Sequence, residues 1–173
     1  NNGAVRMENA HPFINYCTIK NNESNGIFGW DLSQTLKITN NIVSYNSGGG
    51  IDVRGGTNII SRNTITNNDM SGGWGGGIDA RGNDIISWNK IENNTANYGG
   101  GIYGGSTISN NIITNNSAAG AGGGCAGGNY YNNIARESIH IETKKLVFGH
   151  KCHREIHRRS KRNLWDSNKF QKS

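Results

Sequence analysis

The feature that most constrains this chain is a short motif, one or more glycines followed closely by an apolar residue, which recurs six times in residues 1–135. Successive apolar anchors are separated by 22, 24, 27, 24 and 23 residues. The anchors are Val5, Ile27, Ile51, Ile78, Ile102 and Cys125. A repeat of this length is typical of a solenoid, in which each unit buries its apolar side only by stacking on its neighbours.

A second motif, an aliphatic residue followed by asparagine, lies later in each repeat. Its copies begin at Ile19, Val43, Ile65, Ile91 and Ile113. A third apolar position lies between the two motifs, so each repeat contains about three short apolar segments separated by Asn, Gly and Ser. The residues are β-branched, with 18 Ile against two Leu in residues 1–135, and the segments are too short for helices. We therefore predict an all-β parallel solenoid of about five to six coils.

The high content of glycine and asparagine is compatible with a parallel solenoid. The chain has 26 Gly and 28 Asn among 173 residues, which excludes an ordinary helical bundle. No G-X-Y period indicates collagen, and no apolar run is long enough for a membrane span. Both residue types tolerate left-handed turn conformations, and stacked asparagines can hydrogen-bond from coil to coil.

The charge is concentrated at one end of the chain. Residues 1–135 hold seven Lys and Arg against eight Asp and Glu, whereas residues 136–173 hold eleven against four. We therefore divide the chain into a repeat region, residues 1–135, and an atypical basic tail, residues 136–173.

The basic tail has two open interpretations. Its loss of the repeat favours a foreign segment translated out of frame, and the alternative is a native linker or cap over the last coil. His150, Cys152, His153 and His157 have the chemistry of zinc ligands, and four of the five residues 158–162 are basic. We nevertheless predict no metal site and no nucleic-acid partner. Because the repeat is interrupted at both ends, we also expect the coils to associate edge to edge.

A small set of charged and aromatic residues follows the glycine runs and forms the candidate site. If the anchors face inward, the alternation of a strand turns Asp52, Arg54, Asp79 and Arg81 outward as a two-by-two patch. Trp30 and Tyr103 flank this patch in the same alignment. Carboxylates and guanidinium groups bind sugar hydroxyls or carboxylates, and aromatic rings stack on sugar faces, so all six are candidate ligand-binding residues. The alternative is a set of cross-strand ion pairs on a solvated face.

The same four charged residues are the available catalytic candidates. Asp52 and Asp79 on neighbouring strands would be separated by about 5 Å, a spacing compatible with retaining glycosidases. Another acid, Asp84, lies in the sequence Gly82-Asn83-Asp84, which is similar to a calcium-binding turn but is interpreted here as a plain turn. The sequence thus leaves binding, catalysis and a purely structural role open at this patch.

The segment from Pro12 to Asn22, PFINYCTIKNN, followed by glycine-rich aliphatic turns, resembles the right-handed parallel β-helix proteins of the pectate-lyase-like superfamily. The repeats are also similar to those of polymorphic outer-membrane proteins, which are adhesins. The resemblance covers about residues 3–134. It implies a right-handed single-stranded β-helix in an extracellular or cell-surface location.

The functions implied by this resemblance fall into two classes. The first is a non-catalytic scaffold or adhesin-like module with a polysaccharide or cell-surface glycan as its partner. The second is a fragment of a polysaccharide lyase or glycoside hydrolase. The clustered Asp-Asp and His-Gly residues of polygalacturonase-like sites are missing, as is an epimerase-like Asp-Pro-His-Asp run. This favours the first class and no cofactor, with calcium expected only if the chain is lyase-like.

Overall fold

A computed structural model describes residues 3–10, 12–105 and 107–136, together with the backbone of residues 139–140. The described chain forms 22 short strands, all paired in parallel, arranged as a solenoid of six coils. The predicted all-β solenoid and its number of coils are confirmed. Within these ranges no helix is long and apolar enough to cross a membrane.

Each coil contributes one strand to each of three long sheets. Sheet A contains β1 (Gly3–Glu8), β4 (Asn25–Trp30), β7 (Ile51–Arg54), β11 (Ile78–Arg81), β15 (Ile102–Gly104) and β19 (Cys125–Ala126). Sheet B contains β2 (Phe13–Asn15), β5 (Lys37–Thr39), β8 (Ile59–Ser61), β12 (Ile85–Ser87), β16 (Thr107–Ser109) and β20 (Asn129–Tyr131). Sheet C contains β3 (Thr18–Lys20), β6 (Ile42–Ser44), β9 (Thr64–Thr66), β13 (Lys90–Glu92), β17 (Ile112–Thr114) and β21 (Ile134–Arg136).

A fourth sheet, which the sequence did not indicate, lies between sheet C and the next strand of sheet A. Sheet D contains β10 (Asp69–Trp74), β14 (Thr95–Tyr98), β18 (Ser117–Ala121) and β22 (Ile139–His140). Its buried residues include Ala96 and Ala118. The small size of these alanines explains why a search for large apolar residues missed the strands.

The six anchors stack in one column along sheet A. Val5 is paired with Ile27, Ile27 with Ile51, and the column continues through Ile78 and Ile102 to Cys125. Similar columns of isoleucine run through sheets B and C, and most of these side chains are fully buried. The core is therefore a narrow stack of aliphatic residues with about one inward side chain per strand.

Two ladders of stacked asparagines, most of them buried, turn the chain at the two ends of sheet C. The first ladder contains Asn41, Asn63, Asn89, Asn111 and Asn133, and the second contains Asn22, Asn46, Asn68, Asn94 and Asn116. In the middle of the first ladder, the Asn89 amide donates to Asn111 Oδ1 at 3.0 Å and to the carbonyl oxygen of Ile60 at 2.9 Å. This confirms the predicted stacking of asparagine side chains.

Each residue before a ladder asparagine has a left-handed backbone. Examples are Asn93, with a φ of 56°, and Trp88, with a φ of 60°. Asparagine is common here because its short polar side chain tolerates this conformation. The Asn-Asn pairs in the sequence therefore combine a turn residue with a ladder residue.

The longest repeat spacing, 27 residues between Ile51 and Ile78, results mainly from an enlarged turn in coil 3. Strand β10 pairs with β14 at Met70 opposite Ala96 and again at Trp74 opposite Tyr98, so two additional residues are accommodated between these points. A Cβ added at Gly72 would contact nothing within 4 Å. The enlarged turn therefore projects from the solenoid wall beside sheet A.

The change of composition near residue 135 falls within a strand. Strand β21 pairs with β17 in the register of the earlier coils, and the backbone of β22 pairs with Ser117 and Ala118. Four residues that could form a cap over the last coil, Ile141, Leu146, Val147 and Phe148, lie outside the described residues, as do His150, Cys152, His153 and His157.

Candidate functional site

The candidate site lies on the outer face of sheet A, where β7 and β11 run side by side. The pairing register sets Asp52 beside Asp79 and Arg54 beside Arg81. The inward neighbours Val53 and Ala80 are buried in the core. The two-by-two arrangement expected from the anchor alignment is therefore the arrangement in the structure.

Each aspartate is paired with the arginine two residues later on its own strand. Arg54 donates from Nε to Asp52 Oδ1 at 2.9 Å and from Nη2 to Oδ2 at 2.8 Å. Arg81 donates to Asp79 in the same way, at 2.9 Å and 2.6 Å. The expected cross-strand alternative is thus wrong in its geometry, because the ion pairs form along each strand on one side of the pleat.

The expectation that this patch forms a solvated face is also wrong for the two carboxylates. Asp52 and Asp79 point away from the core, yet they are only 3% and 2% exposed. The aromatic residues and the arginines of the same face cover them. The arginines are the more exposed partners, since the Arg54 and Arg81 side chains are 31% and 33% exposed.

Aromatic rings contact both guanidinium groups. The Arg54 guanidinium carbon lies 5.8 Å from the ring centroid of Phe28 and 5.5 Å from that of Trp30. The Arg81 guanidinium carbon lies 4.7 Å from the Trp74 ring and 5.7 Å from the Tyr103 ring. At these separations cation–π attraction holds the guanidinium groups in place.

Trp30 and Tyr103 therefore lie where the sequence placed them, whereas Phe28 and Trp74 were not predicted as site residues. Phe28 occupies the same register position as Asp52 and could have been found from the anchor alignment. Trp74 comes from the enlarged turn of coil 3, and its ring lies 6.2 Å from that of Tyr103. The 27-residue spacing indicates additional residues in this repeat, but no local sequence pattern indicates that they bring Trp74 onto sheet A.

Burial raises the pKa of the Asp79 carboxyl above its usual range. The hydrogen bonds from Arg81 oppose this shift, while the nearby charge of Asp52 adds to it. The same ion pair raises the pKa of Arg81, so the guanidinium remains charged. The two stacked pairs thus form a covered, internally neutralised cluster rather than a set of free carboxylates.

A groove of about 550 Å³ opens next to this cluster, over coils 1 to 3. Its lining includes Arg6, Glu8, Phe28, Trp30, Asp52 and Arg54 of sheet A, together with Met70 of β10. Arg6 and Glu8 were missed by the sequence analysis, although they occupy the register positions of Phe28 and Trp30 in the preceding coil.

Two further candidates from the sequence are a metal site and the acid Asp84. Within the described ranges no three His, Cys, Asp or Glu residues are grouped to hold a metal ion. Asp84 is fully buried in a turn and accepts hydrogen bonds from the side-chain amide of Asn58 at 2.7 Å and from the Gly82 N–H at 2.8 Å. Both carboxylate oxygens of Asp84 therefore accept hydrogen bonds within the solenoid wall.

The parallel coils, the isoleucine columns and the asparagine ladders define the class of protein, a parallel β-helix repeat protein. Residues 1–85 match the family model described as "Right handed beta helix region". Coils 4 to 6 continue the register of the matched part, so the described chain has the fold of a right-handed parallel β-helix throughout, consistent with the pectate-lyase-like superfamily. Searches of the curated proteins and of the solved structures gave no match.

Proposed function

We propose that this β-helix is a non-catalytic, adhesin-like module that binds glycan on the outer face of sheet A. The observation that carries the proposal is the groove beside Trp30, in which an exposed aromatic ring lies next to fixed charged and polar groups. Sites of this kind combine an apolar surface with a few oriented polar side chains.

The two tryptophans of the site are each partly exposed to solvent. Trp30 and Trp74 are 46% and 43% exposed, although each contacts an arginine. A ring that is supported on one side by a guanidinium group retains an apolar surface toward solvent, on which the flat face of a sugar can pack. The ion pairs therefore hold the rings in a fixed orientation before a ligand arrives.

The polar groups complement this surface. Each guanidinium retains N–H groups that are not used by its aspartate, because an arginine carries five donors. These donors and the exposed carboxylate of Glu8 suit hydroxyl groups, which both donate and accept hydrogen bonds. We propose the extracellular space or the cell surface as the location, since glycan polymers of this kind occur there.

A fragment of a polysaccharide lyase or glycoside hydrolase is the second candidate, because Asp52 and Asp79 lie on adjacent strands and burial raises the pKa of Asp79. The geometry disfavours it, since both oxygens of each carboxylate accept hydrogen bonds from an arginine. Product formation from a polysaccharide, with or without calcium, that is abolished by Asp79→Ala would establish this alternative.

The binding proposal is tested with Trp30→Ala and the matched control Trp88→Asn. Trp88 is an exposed tryptophan at the turn between sheets B and C, in a column where Asn40 and Asn110 have the same left-handed backbone. In affinity electrophoresis on a panel of polysaccharides, we expect Trp30→Ala to weaken retention about tenfold, the equivalent of about 1.4 kcal/mol. The control should bind like the natural chain. Equal retention of both variants, or no retention of any protein, would overturn the proposal.

A further inference from the structure

We infer that the groove selects neutral glycans over polyuronates, an inference that rests on the proposed glycan-binding function. It follows from the way in which charge is distributed along the outer face of sheet A. The outward residues of successive coils form rungs across this face, and each rung in coils 1 to 4 carries no net charge.

The charges are balanced within single rungs. In coil 1, Arg6 Nη2 contacts Glu8 Oε2 at 3.2 Å. Coil 2 contributes only the rings of Phe28 and Trp30. Coils 3 and 4 contribute the two Asp–Arg pairs, with Nη2–Oδ2 distances of 2.8 Å and 2.6 Å. A polymer that lies along the solenoid axis would therefore meet aromatic rings and ion pairs without net charge.

The arginines of coils 3 and 4 cannot turn toward a ligand carboxylate at low cost. Their partners Asp52 and Asp79 are buried, so releasing Arg54 or Arg81 would leave a buried carboxylate without its counter-charge. The aromatic rings further restrict both guanidinium groups. Arg54 and Arg81 therefore remain paired with their aspartates and do not offset the charge of a uronate.

Apart from Arg6, whose charge Glu8 offsets, no further cation of the described residues lies on this face. The remaining described basic residues belong to sheets B and C or to the turn between them: Lys20, Lys37, Arg62, Lys90 and Arg136. A uronate chain in the groove would lose hydration of its carboxylates without gaining an ion pair. A neutral glycan has no such penalty and keeps its hydroxyl hydrogen bonds.

The length of this face along the solenoid axis indicates the size of the ligand that fits it. The rungs of coils 1 to 5 follow one another at about 4.8 Å, so the face from Arg6 to Tyr103 extends about 19 Å along the solenoid axis. A surface of this length fits a linear oligosaccharide of a few residues rather than a single sugar.

The test compares neutral polymers (glucans, xylans, mannans and galactans) with polygalacturonate, using the full chain and Trp30→Ala. Residues 136–173 carry a net charge of +7 and can retain any polyanion, so groove binding is defined as the component that Trp30→Ala removes. We expect a groove component for at least one neutral polymer, unchanged up to about 0.5 M NaCl, and none for polygalacturonate. A groove component for polygalacturonate as large as that for every neutral polymer would overturn this inference and leave glycan binding intact. The absence of a groove component for all polymers would overturn both.

A second pair of variants tests the role of charge balance directly. Glu8→Gln removes the partner of Arg6 inside the groove, whereas Glu92→Gln makes the same change beside Lys90 on sheet C, where Lys90 Nζ and Glu92 Oε1 are 2.7 Å apart. We expect Glu8→Gln alone to create a Trp30-dependent retention of polygalacturonate, at least severalfold above the natural chain at low salt. Equal gains for both variants, or no gain for Glu8→Gln, would contradict the inference.

Discussion

Arg81 donates a bidentate pair of hydrogen bonds to Asp79, and the two ends of this ion pair differ sharply in burial. The Asp79 side chain is 2% exposed and the Arg81 side chain is 33% exposed. Losing the arginine leaves a buried carboxylate alone, whereas losing the carboxylate leaves a cation that water can reach. The two single substitutions are therefore not equivalent.

We predict that Arg81→Gln lowers the free energy of unfolding by about 3 kcal/mol, because it breaks a buried pair from its exposed end. Asp79→Asn should lower it by only about 1 kcal/mol, the value of an ordinary lost hydrogen bond. Urea denaturation at neutral pH measures both. Arg6→Gln in the exposed coil 1 pair is the control and should change stability by less than about 1 kcal/mol. Equal effects of the two site variants would contradict the prediction.

The pH dependence of stability should reveal the buried carboxyl of Asp84. Burial raises the pKa of Asp84 above its ordinary value of 3.8, although hydrogen bonds from Asn58 and Gly82 oppose the shift. The folded state therefore binds this proton more tightly than the unfolded state does. The resulting stabilisation is complete below the ordinary pKa and is lost as the pH rises through the raised one.

Asp84→Asn removes this titration while preserving the size of the side chain. We predict that the variant becomes progressively more stable relative to the natural chain as the pH rises from about 4 to 7. Urea denaturation at a series of pH values gives the difference in the free energy of unfolding. A difference that stays constant, or that falls with rising pH, is incompatible with a raised pKa at Asp84.

Adjacent asparagines should differ in their contribution to stability according to their place in the turn. Asn94 is a fully buried ladder residue whose Oδ1 accepts from both the backbone N–H and the side-chain amide of Asn68, each at 2.9 Å. Asn93 is exposed and supplies the left-handed backbone with a φ of 56°.

Asn94→Ala is expected to destabilise the fold by about 3 kcal/mol or more, since it leaves two buried donors of Asn68 unpaired. Asn93→Ala should cost about 1 kcal/mol, the penalty for placing alanine in a left-handed conformation. Thermal and urea unfolding of both variants provide the comparison. A larger effect at Asn93 would show that the turn conformation, rather than the ladder, limits stability.

Two glycines of one turn should respond oppositely to the addition of a methyl group. A Cβ at Gly77 would lie 2.6 Å from the carbonyl oxygen of Gly101 and 2.9 Å from Ile91 Cγ2, whereas a Cβ at Gly72 would contact nothing within 4 Å. We predict that Gly77→Ala costs about 1–3 kcal/mol or more, because the stacked coils must separate.

Gly72→Ala should be neutral or stabilising by up to about 1 kcal/mol, since it restricts the unfolded chain without a clash. Circular dichroism melting curves of the two variants measure these effects. Comparable losses would mean that the enlarged turn of coil 3 is packed more tightly than the structure shows.

The sequence alone determined how the coils stack. The spacing of the anchors and the repeated use of isoleucine placed Ile51, Ile78 and Ile102 in one column, because identical short strands can bury their apolar sides only against each other. The same repetition placed asparagines above one another, so their ladders could be expected from the turn motif. The pairing of Asp52 with Asp79 follows from this one-dimensional order as well.

Only the tertiary structure decided what covers the outer face of sheet A. Trp74 reaches Arg81 because the enlarged turn of coil 3 directs it there, and the path of a turn depends on contacts that no repeat spacing encodes. Burial of Asp52 and Asp79, and their pairing along the strand instead of across it, depends on these neighbours. Sheet D was likewise hidden in the sequence, since its inward alanines are too small to form an apolar pattern. Periodic burial is a local property of each repeat, whereas the surroundings of an outward side chain depend on the few residues that break the repeat.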